Sequence, residues 1–134
     1  MRIAFIGGGN MSTALIGGLL ARGVAAAELS VADPSVAQID RLRRDFGVHA
    51  TTDNVSAARD AELVALAVKP QDMADVARGL VAELATRRRI VVSVAAGIPL
   101  ESLTGWLGGQ AALVRAMPNR PRSRPLVRRR RRIP

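Results

Sequence analysis

Short apolar runs alternate with longer amphipathic stretches along most of this chain. Ile3–Ile6 is a continuous apolar run that predicts a buried strand, and the sequence after it predicts a helix from Met11 to about Arg22. The same alternation continues to about residue 116. It predicts five more strands and four more helices: strands at Glu28–Asp33, Val48–Ala50, Ala61–Val68, Ile90–Val94 and Ala111–Ala116, and helices at Ser35–Phe46, Asp53–Ala58, Gln71–Leu84 and Pro99–Leu107.

This alternation predicts an α/β fold, a Rossmann-like doubly wound parallel sheet with helices on both faces. With only three aromatic residues (two Phe and one Trp), the core must be built from Ala, Val, Leu and Ile, as in buried parallel sheets. Ligands of such sheets bind beyond the carboxyl ends of the strands, near the switch in strand order. The strand ends are therefore the places where functional residues are expected.

Three glycines separate the first strand from the first helix. Gly7 permits a tight turn, and the lack of a Cβ on Gly9 allows a pyrophosphate to approach the backbone. The following helix offers free N–H groups and the positive end of its dipole. Ser12 stands where the dinucleotide-binding fingerprint expects Gly or Ala, so the match is imperfect. A plain turn is the alternative, but the strand–turn–helix context favours cofactor binding.

An acid ends the second strand. Asp33 at this place would hydrogen-bond ribose hydroxyls and repel a 2′-phosphate, which favours NAD over NADP. Arg41, Arg43 and Arg44 follow on the next helix, and they offset that repulsion only if they reach back to the strand end. The residues alone therefore leave the cofactor preference open.

The remaining candidate side chains have competing interpretations. Asn54 either contacts the ribose or caps the helix that follows it. Lys69, followed by Pro70 at the end of the fourth strand, suits a positioning role better than proton transfer. His49 is the only histidine and is expected at the surface, and Trp106 is expected to be a packing anchor.

Composition narrows the class of protein. The chain of 134 residues suits one domain, and without cysteine it has neither a disulfide framework nor a thiolate metal site, so no metal is expected. We find no signal-peptide pattern at the N-terminus and no apolar run long enough to span a membrane. These features predict a cytoplasmic location and no membrane partner.

The net charge of +9 comes from the end of the chain. All eleven acidic residues precede Arg120, together with twelve of the twenty basic residues; the other eight are arginines at positions 120–132. Residues 120–134 are rich in Arg and Pro without periodicity, which predicts a disordered tail. The Arg128–Arg132 run has no aromatic neighbours and no folded module around it, so no specific nucleic-acid partner is expected.

Four segments in this order resemble the pyrroline-5-carboxylate reductase family, and the resemblance covers residues 1–119. They are Phe5–Met11 (FIGGGNM), Leu66–Gln71 (LAVKPQ), Val92–Leu100 (VSVAAGIPL) and Val114–Asn119 (VRAMPN). The glycine turn alone is shared by many dehydrogenases. The ordered set of four is more specific.

The resemblance implies a function in proline biosynthesis. Such enzymes reduce 1-pyrroline-5-carboxylate, the small-molecule substrate, to L-proline with hydride from NADPH or NADH. It implies NADP(H) as the cofactor, with NAD(H) as the alternative. It implies cofactor contacts at Ile6, Gly7, Gly8, Gly9, Asn10, Met11, Asp33, Asn54, Ala67, Val68, Lys69, Pro70, Ala95, Ala96 and Gly97, and a substrate side at Met117, Pro118 and Asn119.

The family pattern is broken after Asn119. Members continue with Thr, Pro and an apolar stretch, whereas Arg120 stands here in the threonine place and similarity ends after Pro121. Members also have an all-helical second domain that forms the dimer and supplies most substrate contacts, so homo-oligomerisation is expected only of a full-length member. A non-catalytic nucleotide-binding remnant and the cofactor domain of a ketopantoate or hydroxyacid reductase remain the alternatives.

We expect residues 120–134 to be encoded out of frame, because GC-rich DNA yields Arg, Pro and Ser in a wrong frame and the change falls inside a motif. Resequencing the gene beyond the Asn119 codon checks this. A neighbouring frame that encodes the helical domain is the expected result. A neighbouring frame without that domain contradicts the hypothesis.

Overall fold

The computed structural model describes residues 1–94, 98, 100–108 and 112–115. Within these residues the strands are β1 (Ile3–Ile6), β2 (Leu29–Ala32), β3 (His49–Thr51), β4 (Leu63–Leu66), β5 (Ile90–Ser93) and β6 (Ala112–Arg115). The helices are α1 (Asn10–Ala21), α2 (Val36–Phe46), α3 (Asn54–Ala58), α4 (Pro70–Leu84) and α5 (Leu100–Trp106), and a 3₁₀ turn lies at Ala26–Glu28.

The described strands form one parallel sheet of six strands in the order β3-β2-β1-β4-β5-β6. Ile3 at the start of β1 is level with Leu29 of β2 on one side and Leu63 of β4 on the other. The chain proceeds outward from β1 to β3, crosses back to β4 and continues to β6. The order therefore reverses between β1 and β4, and the prediction of a doubly wound Rossmann-like sheet is confirmed.

Alternate residues of each strand face opposite sides of the sheet, and this produces two cores. Phe5 belongs to the cluster that contains Ile16 of α1 and Leu42 of α2. Its neighbours Ala4 and Ile6 belong to the other cluster, which is lined by residues of α3, α4 and α5. Most of the packed side chains are Ala, Val, Leu and Ile, as the composition predicts.

Local signals fix several helix ends. The Ser35 hydroxyl accepts a 3.2 Å bond from the Gln38 amide at the start of α2, and Gly47 ends this helix in the left-handed conformation. At α3 the capping residue is Asp53, whose carboxylate accepts from the Val55 amide at 3.0 Å. The interpretation of Asn54 as a cap is therefore wrong, because Asn54 is the first residue inside the helix.

Two arginines after α4 contact the end of α3. Arg87 donates 3.0 Å bonds to the carbonyls of Arg59 and Ala61, and buried Arg89 donates to that of Ala58 at 3.2 Å. Arg89 also forms a 2.6 Å ion pair with Glu83 of α4. These cations thus join α4 to the carbonyl end of α3, where positive charge is favourable.

We expect Glu83→Gln to lower the free energy of unfolding by about 3 kcal/mol, because it leaves the buried Arg89 guanidinium without its anion. Equilibrium urea denaturation measures this. Asp75→Asn is the matched control on the same helix, since the Asp75–Arg78 pair is exposed and 3.8 Å long; it should change stability by less than about 0.5 kcal/mol. Equal effects of the two variants would contradict the assignment.

Candidate functional site

A cleft of about 610 Å³ lies at the carboxyl ends of β1, β2, β3 and β4, across the switch in strand order. This is where doubly wound sheets bind ligands. Its lining comes from the last residue of β2 and from the segments that follow these four strands: Gly7, Gly9, Ala32, Asp33, Pro34, Thr52, Asn54, Ala67, Val68, Lys69, Asp72, Asp75 and Val76.

Gly7 makes the turn after β1 and contacts the end of β4. Its φ is +102°, a value that residues with a Cβ rarely adopt. A Cβ placed on Gly7 would lie 2.6 Å from the carbonyl oxygen of Ala67, which is closer than atoms can approach. The Gly7 amide donates to the Ala32 carbonyl at 2.8 Å, and the Ala67 amide donates to Ile6 at the same distance. Ile6 and Gly7 thereby join the end of β1 to the ends of β2 and β4.

Ser12 secures the turn from the other side. It is fully buried in the first turn of α1, and its hydroxyl donates to the Gly7 carbonyl. The serine that departs from the fingerprint thus supplies a bond that Gly or Ala could not make. On the next turn position, the Thr13 hydroxyl donates to the Gly9 carbonyl at 2.8 Å.

Gly9 leaves an open space at the start of α1. It is the N-cap residue with a φ of −81°, and a Cβ placed on it would meet no atom of the described protein within 4 Å. The packing of the described protein would therefore allow a side chain at position 9, and the fold does not explain why glycine stands there. The cleft at this point is bordered by the N-terminus of α1, whose amides favour an anion.

Asp33 is held by backbone amides. One carboxylate oxygen accepts from the Gly8 amide and the other from the Ser35 amide, each at 2.9 Å. Arg41, Arg43 and Arg44 could offset the negative charge of Asp33 only by reaching the strand end, and none of them lines the cleft. Arg43 instead donates to the Ala50 carbonyl at 2.6 Å.

The far side of the cleft is formed by the first turns of α4. Lys69 is the N-cap residue of this helix and is exposed, and Pro70 is at its first position, where the missing N–H costs nothing. Asp72 and Asp75 also line this side. Together with Asp33 they give the lining three acidic residues and one basic residue, Lys69. The electrostatic attraction of the cleft for a phosphate therefore comes largely from the helix N-termini.

The structure brings together seven of the residues predicted to contact the cofactor. They are Gly7, Gly9, Asp33, Asn54, Ala67, Val68 and Lys69. Five more predicted residues are described but do not line the cleft: Ile6, Gly8, Asn10, Met11 and Pro70. Ala95, Ala96, Gly97, Met117, Pro118 and Asn119 lie outside the described residues, as does the 120–134 segment.

Sequence reasoning missed six residues of the lining: Ala32, Pro34, Thr52, Asp72, Asp75 and Val76. Thr52 follows β3, and the rule that ligands bind beyond strand ends points to Thr52 as it does to Asp33. Asp72, Asp75 and Val76 lie along α4, and the sequence alone does not show which side of that helix borders the cleft.

Other candidates lie elsewhere. His49 is exposed on β3 and does not line the cleft, and Trp106 is half-buried against the core, as expected of a packing residue. Among the described residues there is no group of three or more His, Cys, Asp or Glu that could hold a metal ion. In the same part of the chain, no helix combines the length and apolar character needed to cross a membrane.

Comparison with known sequences finds a family and close relatives. The family described as NADP oxidoreductase, coenzyme F420-dependent, matches residues 2–97. The pyrroline-5-carboxylate reductase of Pseudomonas aeruginosa is 46% identical over 120 residues, which cover 90% of this chain and 44% of the relative. The enzyme of the same name from Vibrio alginolyticus is 45% identical with the same coverage. The chain therefore spans less than half the length of these relatives.

Solved structures agree with the sequence matches. A pyrroline-5-carboxylate reductase from Coxiella burnetii superposes with a TM-score of 0.85 at 38% identity, over 90% of this chain and 44% of that one. The Plasmodium falciparum enzyme, solved with NADP bound, has a TM-score of 0.75 at 22% identity over 89% and 42%, which shows the fold alone. The resemblance indicated by the four motifs is confirmed.

We expect Gly7→Ala to lower the free energy of unfolding by about 2–5 kcal/mol, since the new Cβ would strain φ and collide with Ala67. Gly9→Ala is the matched control and should cost no more than about 1 kcal/mol, the usual preference for Gly over Ala at an N-cap. Urea denaturation measures both variants. Similar losses for the two would show that the Gly7 contact is not decisive.

Proposed function

Because this chain belongs to the family described as NADP oxidoreductase, coenzyme F420-dependent, we propose that residues 1–119 are the NADP(H)-binding domain of a pyrroline-5-carboxylate reductase. NAD(H) is the alternative cofactor. The observation that carries the proposal is a cleft at the switch in strand order, in a chain 46% identical to a reductase of that name. Residues 120–134 are proposed to be a separate tail.

The glycine turn fits a dinucleotide. The space beside Gly9 is open to the cleft, and it adjoins the free amides at the start of α1. A pyrophosphate in this place would accept hydrogen bonds from those amides without displacing any side chain. Gly7 supports this arrangement from below by holding the turn against β4.

The other lining residues divide between the two ends of the proposed cofactor. Asp33 and Asn54, at the ends of β2 and β3, are proposed to lie beside the adenosine ribose. Ala67, Val68 and Lys69 are proposed to form the wall that follows β4. For Lys69 the support for a positioning role is its place at the N-cap of α4, where it is exposed and lines the cleft.

NADPH held by these lining residues would supply hydride for the carbon of the pyrroline imine, whose nitrogen is already protonated. The described part of this chain contributes binding and orientation, which reduce the barrier by holding reactants in place. It needs neither a nucleophile nor a metal for this task. The part of the relatives that the chain does not span is proposed to complete the substrate pocket and the homo-oligomer. The proposed location is the cytoplasm. No specific nucleic-acid partner is proposed.

A chimera tests the function. Residues 1–119 replace the matching part of the Pseudomonas aeruginosa reductase, and loss of NADPH absorbance is followed with 1-pyrroline-5-carboxylate and with ketopantoate. We expect turnover with the first substrate only. The 134-residue chain alone should bind NADPH in a calorimetric titration without comparable turnover.

Gly9→Ala in the chimera provides the control, because its Cβ would occupy the space proposed for the pyrophosphate. We expect NADPH affinity to fall about tenfold or more, the effect of losing roughly 1.4 kcal/mol of binding. Turnover with ketopantoate would favour the other small-substrate reductases. Binding without turnover in the chimera would favour a non-catalytic remnant, and no binding at all would contradict every one of these functions.

A further inference from the structure

Both backbone polar groups of Gly8 are bonded to side chains of the next βα unit. The Gly8 amide donates to Asp33 at 2.9 Å, and its carbonyl accepts from the Gln38 side-chain amide at 2.5 Å. Asp33 follows β2 and Gln38 lies on α2, so these bonds join residues 25 and 30 positions apart. Hydrogen bonds to a charged group are among the stronger ones in proteins.

Packing restrains Gly8 in the same place. A Cβ on Gly8 would lie 3.0 Å from Leu42 Cδ1 and 3.3 Å from the Cβ of Asp33. Gly8 is therefore confined between Asp33 and α2. A Cβ on Gly9, the next residue, would meet no atom within 4 Å. Fixing the backbone of Gly8 thus determines how Gly9 faces the cleft.

Each oxygen of the Asp33 carboxylate accepts a hydrogen bond from a backbone amide. Ser35 donates its amide to the oxygen that Gly8 does not use, also at 2.9 Å. Two N–H dipoles directed at the carboxylate stabilise its negative charge and reduce the field it projects toward the cleft. In dinucleotide-binding sheets, an acidic residue at the end of β2 usually hydrogen-bonds the ribose hydroxyls and repels a 2′-phosphate. Here the same group accepts bonds from the backbone amides of Gly8 in the glycine turn and of Ser35.

We propose that Asp33 and Gln38 are positioning residues that hold Gly8, and through it the pyrophosphate site at Gly9, and that Asp33 does not discriminate between NADPH and NADH. This inference rests on the proposed function. It explains how an acid after β2 is compatible with NADP(H) in a chain whose Arg41, Arg43 and Arg44 do not line the cleft.

Asp33→Asn separates the two roles. Asparagine retains one acceptor oxygen but presents an NH₂ donor to the second backbone amide, so it cannot accept from both the buried Gly8 and the exposed Ser35. We expect the Kd values for NADPH and for NADH to rise by the same factor, about tenfold, because both share the pyrophosphate. A ribose-selecting acid predicts the opposite pattern: NADPH binds as well or better and NADH more weakly. That pattern overturns the proposal.

Gln38→Met gives an independent measurement at nearly constant side-chain volume. It removes the bond to the Gly8 carbonyl, and we expect both Kd values to rise about threefold to tenfold. In the double variant the combined factor should be smaller than the product of the single ones, because both side chains act on one residue. A full product, or an unchanged affinity in Gln38→Met, overturns the inference.

Asp40→Asn is the matched control. It removes one negative charge from α2, where Asp40 is exposed and pairs with Arg43 at 3.6 Å, away from the glycine turn. Both affinities should be unchanged, and a rise equal to that of Asp33→Asn would show that charge alone is responsible. Titration of the 134-residue chain with each nucleotide provides all values. If the unaltered chain binds neither, the proposed function fails together with this inference; if it binds both and Asp33→Asn shifts only their ratio, the inference alone fails.

Discussion

The contact between Gly7 and the carbonyl of Ala67 is the constraint on which the site depends. It exists only because position 7 has no Cβ and can adopt a φ of +102°. The contact closes the turn after β1 against the end of β4, where the strand order reverses. With any larger residue the turn would move away from β4. The cleft would then lose the alignment of its two sides.

Three polar side chains hold the backbone of the glycine turn by hydrogen bonds. Ser12 of α1 bonds the Gly7 carbonyl, and the two backbone groups of Gly8 are bonded by Asp33, which follows β2, and by Gln38 of α2. Backbone groups in a turn have no ladder partner, and leaving them unpaired in a partly buried place is costly. Gly7 and Gly8 are thus fixed by these bonds, and Gly9 is the one glycine of the three whose Cβ position is open. Rigidity next to an open cradle is what a preorganised anion site requires.

The two ends of the sheet have different tasks. At the carboxyl edge, the strands end in glycine, small apolar and polar residues that border the cleft. At the amino edge, Arg89 is buried against Glu83 and the carbonyl of Ala58, and Arg87 bonds Arg59 and Ala61. These bonds fix α3 relative to α4. Residues on both helices, Asn54 and Asp72 among them, line the cleft, so this packing also sets its width.

The sequence by itself determined the order and type of the elements, because strand and helix periodicity and the glycine and proline signals are local. It also located Gly7, Gly9, Asp33 and Lys69 at one crevice, since parallel strands must end at the same edge. Only the tertiary structure decided what those residues contact. The bond from Ser12 to Gly7 depends on the direction of the serine side chain. The bond from Gly8 to Asp33 depends also on a group 25 residues away. Periodicity carries no information about either.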